Sequence, residues 1–220
     1  MTHGFPGSLL AHDLAAQHPE LVGGVIDVSG IPVQPFPNPK DPTGKTPATA
    51  EESVAYVDEA WSKKWFKYVT PETWESNNYP ASMFSDDANR GEQIRHAVEL
   101  NPLLVKIEYL TEFMAADQSE LLSKLIVPLL AIRPGFNEKL LNDPATAWFK
   151  TMLQDPWDRF TSNPRILVET IPNGHARLFD EQPAVVDEMI DQFSAEAIQH
   201  NASVHYPAGR PQKKPRTRGF

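Results

Sequence analysis

Ile171-Pro-Asn-Gly-His-Ala-Arg-Leu-Phe-Asp-Glu-Gln-Pro183 decides how the rest of this chain is read. The β-branched run Arg165-Ile-Leu-Val-Glu-Thr170 comes just before it, and an amphipathic stretch from Ala184 to roughly Ala197 comes just after. A strand, a glycine-containing loop with a histidine, and a helix form a unit in which a rigid sheet edge aims an imidazole outward. His175 is therefore the leading candidate for a catalytic base. Its partners have to be sought elsewhere in the chain.

Working outward, two more short apolar runs read as buried strands: Gly24 to Val28, ended by Gly30 and Pro32, and Val127 to Ile132. Ser8 to His18 reads as a helix, with Leu9, Leu10 and Leu14 among alanines and Pro19 at its end. Ala145 to Leu153 and the segment after Pro183 also read as helices. Strands alternating with helices imply a parallel sheet covered on both faces. Ligands of such sheets bind beyond the carboxyl ends of the strands. The loops 29–32, 133–138 and 173–178 fall at that edge.

The regular alternation is interrupted. Ile31 to Thr49 holds six prolines and reads as a loop. Helices follow over 51–69, where Val54, Val57, Trp61, Trp65 and Tyr68 recur at three and four, and over 86–100 and 103–116. The expected organisation is an elbow helix and strand over 1–30, a helical insertion over 31–124, the rest of the core over 125–199, and a disordered, proline-rich basic tail over 200–220.

Composition narrows the function. The 220 residues suffice for one domain with a sizeable core. The absence of cysteine excludes disulfides, thiolate metal sites and a cysteine nucleophile. Five of the 20 basic residues lie in the tail after Asn201, leaving −14 on the body, which argues against nucleic acid as a partner. No apolar run is long enough to cross a bilayer and no signal-peptide pattern follows Met1, so the cytoplasm is the expected location. The other histidines, His12 and His18 in the first helix among them, read as solvated. No pair has metal-ligand spacing, so neither a metal nor another cofactor is expected. Asp27 is an odd polar residue inside a buried strand, and is expected at an edge or paired with a loop donor.

Four stretches, by their order and spacing along the chain, resemble the α/β-hydrolases. Leu9 to Gly30 is similar to the helix and strand that follow that family's nucleophile elbow. Leu125-Ile-Val-Pro-Leu-Leu-Ala-Ile132 is similar to the strand before its catalytic acid. Ile171 to Pro183 is similar to its histidine loop, and 51–116 to its helical cap. The resemblance covers residues 3 to 197 and implies an α/β fold: the C-terminal part of an α/β-hydrolase parallel sheet with a helical cap insertion. The elements that precede the elbow in the family have no counterpart. Three strands would then leave an open edge, which implies low stability or pairing with a second copy.

The elbow motif Gly-x-Ser-x-Gly falls on His3-Gly4-Phe5-Pro6-Gly7, with phenylalanine at the nucleophile position. His3 to Gly7 is also similar to the family's oxyanion loop. By this resemblance His175 is the general base, Glu138 its orienting acid and Ser8 a substitute nucleophile, acting on a small apolar ester. Cap aromatics such as Trp61, Trp65 and Phe84 either line the substrate pocket or only pack the cap. The alternatives are an inactive homologue serving as a binding or interaction module, and a member that keeps the histidine but uses no serine.

Overall fold

Glycine- and proline-bounded β-branched runs do become strands. The computed structural model describes residues 2–3, 5–33, 80–99, 117–143 and 149–203. The helices expected over 51–69 and 103–116, most of the proline loop, and the basic tail beyond residue 203 lie outside these, while 200–203, expected to be disordered, are helical. In chain order the elements are β1 (Thr2–His3), α1 (Phe5–Gln17), β2 (Val25–Val28), a 3-10 turn (Ala81–Met83), α2 (Ala88–Glu99), α3 (Ser119–Ser123), β3 (Leu129–Gly135), α4 (Glu138–Asn142), a π-helical turn (Lys150–Gln154) running into a 3-10 helix (Asp155–Phe160), β4 (Ile166–Pro172), α5 (Leu178–Glu181) and α6 (Pro183–Ser203).

The sheet has the order β1-β2-β3-β4, and every pairing is parallel. Thr2 stands opposite Asp27, Val25 opposite Leu129, and Leu129 opposite Ile166. The sheet thus has one strand more than the sequence suggests. β1 is two residues long, too short for any periodicity to betray it, and α1 begins at Phe5. These two elements overlap the stretch aligned with the elbow motif.

β3 also runs past Ile132 through Arg133, Pro134 and Gly135, which the sequence assigns to a loop. Proline is tolerated here for a specific reason. The N–H of Leu129 donates to Arg165 O on the β4 side, so alternation aims the nitrogen of Pro134 at the β2 side. β2 has already ended at Val28, and no ladder bond is lost.

The two sheet faces carry separate cores. Val25, Leu129, Ala131 and Ile166 face α1 and pack with Ala15, Leu122, Trp157 and Phe160. Val28, Leu130, Ile132 and Ile171 face α6 and pack with Val186, Phe179, Met189, Ile190 and Phe193. Each fully buried aliphatic side chain here contributes about 1.5–3 kcal/mol. A third cluster sits at the carboxyl edge of the sheet: Ile31, Met83, Phe84, Ile94, Phe149, Met152, Leu153 and Ala176. It joins the end of the helical insertion to the histidine loop. Arg133 ties the strand ends to the segment beside them, donating from Nε to Thr170 Oγ1 (2.9 Å) and from Nη1 to Gln154 O and Asp158 Oδ1 (2.6 Å each).

Candidate active site

β4 ends at Pro172, and Asn173 turns the chain in the left-handed region with φ 56°. Asparagine accepts that conformation more readily than most residues. Gly174 follows, with its N–H donating to Ile171 O (3.2 Å). A Cβ on Gly174 would lie 2.5 Å from Leu178 Cδ2, so the loop needs glycine to fold this tightly. The next residue is His175, whose side chain has no accessible surface. The one-turn helix α5 then brings Glu181 back against it. Glu181 Oε1 lies 2.7 Å from His175 Nδ1, and Glu181 Oε2 accepts from the His175 backbone N–H at 3.0 Å. The ring contact is short but out of line for a full hydrogen bond. Such bonds often align only when substrate is present.

The other ring nitrogen faces the end of the insertion. Asp86 Oδ1 lies 3.8 Å from His175 Nε2, while Asp86 Oδ2 accepts from Asn137 Nδ2 at 3.3 Å. This segment is fastened to the histidine loop. The N–H of Ala176 donates to Met83 O (3.4 Å), and Arg90 donates through both Nε (3.1 Å) and Nη2 to Asp180 O. Asp87 caps α2 by accepting from the N–H of Arg90 at 2.8 Å, which sets Asp86 in the turn above the imidazole. The two carboxylates differ in setting: the Glu181 side chain is 10% exposed and that of Asp86 57%.

Ser8 occupies a different place. Its hydroxyl donates to Asp27 Oδ1 (2.9 Å), and Ser8, His12 and Asp27 have no accessible surface. His12 Nε2 approaches Asp27 Oδ2 at 3.2 Å, again out of hydrogen-bond alignment. His12 Nδ1 lies 2.7 Å from Gln118 Oε1, and Gln118 Nε2 donates to Leu9 O (2.9 Å). Trp157 stacks edge-on against the His12 ring at 6.0 Å and donates to Gly30 O (3.0 Å). His12, expected in solvent, is thus enclosed, and Asp27 takes its donors from a helix rather than a loop. Ser8, His12 and Ala15 recur at helical spacing on the buried face of α1, whereas Leu10 and Leu14 are exposed. Both Ser8 and His12 contact the same carboxylate. A nucleophile–base–acid relay would require the histidine between the other two.

Glu138, expected to orient His175, is an exposed residue in the first turn of α4, which Asn137 caps by accepting from the N–H of Leu140 (3.0 Å). The carboxylates brought to the imidazole are Glu181 and Asp86. Glu181 lay in plain sight in the acidic-Gln-Pro ending of the histidine loop. Asp86 gives no signal in sequence, being one carboxylate among several ahead of a helix. Among the described residues no group of three or more His, Asp or Glu side chains could hold a metal ion. Two open clefts, of about 440 and 410 Å³, lie beside α3 and beside the start of β4, and His175 lines neither. No helix among the described residues is long and apolar enough to cross a membrane.

No protein-family model and no curated protein matches the sequence. Solved structures do match. A Mycobacterium tuberculosis protein described as a non-heme bromoperoxidase aligns over 88% of this chain and 65% of its own, with 16% identity and a TM-score of 0.55. A hydrolase from Oleispira antarctica aligns over 86% of this chain and 62% of its own, with 10% identity and a TM-score of 0.51. A thermophilic esterase from Thermogutta terrifontis aligns over 87% and 62%, with 16% identity and a TM-score of 0.50. The chain therefore spans under two thirds of the length of these structures. At such identities the likeness speaks to architecture, and the architecture is the α/β-hydrolase fold, present here as a four-stranded part of the parallel sheet that bears the histidine loop.

Proposed function

We propose that the chain carries the histidine half of an α/β-hydrolase site, and that His175 acts there as general base in the hydrolysis of a small apolar ester. One observation carries this: a fully buried imidazole at the carboxyl edge of the sheet, with a carboxylate against each ring nitrogen. The apolar cluster reaching Ala176 borders the histidine loop, consistent with an apolar substrate. Because Ser8 is enclosed and bonded to Asp27, water is the attacking group in this proposal. His175 Nε2 takes a proton from water as its oxygen bonds to the acyl carbon. The tetrahedral oxyanion then collapses, the ester C–O bond breaks, and the leaving alkoxide takes the proton from the imidazolium.

The test is turnover of p-nitrophenyl butyrate by the wild-type chain and by His175→Ala. General base catalysis is worth about 10²–10⁴-fold, so the variant is expected to lose kcat/KM by that factor. A second reading, a non-catalytic interaction module, is favoured by the same enclosure of Ser8. Rates equal to buffer alone in both proteins would establish it and end the first.

A further inference from the structure

We infer that Glu181, from the one-turn helix directly after the histidine, is the positioning residue of His175, in the role expected of Glu138. The inference rests on His175 being the base of the proposed reaction. Its grounds are geometric. One carboxylate meets two donors of the same residue: Oε2 accepts the His175 backbone N–H at 3.0 Å, and Oε1 stands 2.7 Å from Nδ1. The first contact is a hydrogen bond that ties the loop, and the second places the carboxylate within reach of the ring. Both lie where water is scarce, with His175 fully buried and the Glu181 side chain 10% exposed. Electrostatic contacts are least screened there. Asp86 is the rival carboxylate, but it is 57% exposed, lies 3.8 Å away and faces Nε2, the nitrogen that has to meet the reactant. Glu138 is exposed on α4.

The contact bears on the tautomer. A carboxylate only accepts, so a hydrogen bond at this contact requires the proton on Nδ1 and leaves the Nε2 lone pair as the base. Glutamine at 181 would keep the size but accept through one atom and donate through the other. With its oxygen on the backbone N–H, its amide hydrogens would face Nδ1, which must then accept. The proton moves to Nε2 and the base is lost. A residue with only a packing role would not reverse a tautomer.

The experiment is ring ¹⁵N NMR of the full chain at a pH above the ordinary histidine range, with His175→Ala to assign the signal. The expected result is an Nδ1–H tautomer in the wild type, in Glu138→Gln and in Asp86→Asn, and an Nε2–H tautomer in Glu181→Gln. In parallel, kcat/KM of Glu181→Gln should fall with KM little changed. An Nε2–H tautomer in the wild type overturns the inference by itself, whether or not any variant folds. So does a folded Glu181→Gln that keeps Nδ1–H, or a Glu138→Gln that loses it. The tautomer is read without any turnover, so an inactive chain with Nδ1–H and the predicted reversal would refute the proposed reaction and leave the positioning role standing.

Discussion

His12 and His175 are both fully buried, and each stands beside a carboxylate, yet the two differ in the partners around them. Around His12 every direction is closed: Asp27 and Gln118 meet its ring nitrogens, Trp157 covers an edge, and Gly30 fills the space behind the carboxylate. Around His175 one nitrogen is held from within the loop by Glu181, while the other looks toward Asp86, a side chain more than half exposed. The first is a polar clamp that fixes α1 to β2. The second is an imidazole enclosed at the carboxyl edge of the sheet, beside a buried carboxylate on one nitrogen and an exposed one on the other. Residue type and burial alone would assign both the same role, and only the partners separate them.

If the clamp is structural, breaking it should cost stability and little else. The largest effect is expected from Asp27→Ala, which strands His12 and the Ser8 hydroxyl in a dry interior. Removing one partner of a buried pair costs about 3–5 kcal/mol, a large fraction of the roughly 5–15 kcal/mol of a whole domain. Urea unfolding should show the loss. A midpoint within error of wild type would mean that the pair is not formed. Gly30→Ala comes next. Its Cβ would stand 2.0 Å from Asp27 Oδ1 and 2.2 Å from Ser8 Oγ, so these buried side chains must shift to admit it. Overpacking of this kind costs about 1–3 kcal/mol, and unchanged stability would show that Asp27 has room to move.

The histories of these two regions in the sequence differ as well. Strands β2, β3 and β4 were legible because apolar β-branched runs bounded by glycine or proline leave few other options. The histidine loop was legible because its strand and helix flank it directly. α1 was legible as a helix but not in its orientation. Leu10 and Leu14 are exposed, whereas Ser8, His12 and Ala15 are buried. The clue was on another element: Asp27, a charged residue in a buried strand, requires donors on whatever helix covers it. Glu138 and Glu181 could not be ranked from sequence. Their distances from the imidazole depend on how α4 and α5 fold back, and only α5 returns its carboxylate, Glu181, six residues after the histidine, to the ring. β1 was invisible because two residues carry no pattern.

The central claim is that function lies with His175 and structure with the Ser8–Asp27–His12 clamp. Ser8→Ala and His175→Ala, each assayed for urea stability and for p-nitrophenyl butyrate turnover per folded molecule, test it most directly. Ser8→Ala is predicted to lose about 1–3 kcal/mol, the cost of an unmet buried hydrogen bond, and to keep its turnover. His175→Ala is predicted to lose turnover by about 10²–10⁴-fold while staying folded. Turnover that Ser8→Ala abolishes in a stably folded protein, or that His175→Ala leaves intact, would contradict the account.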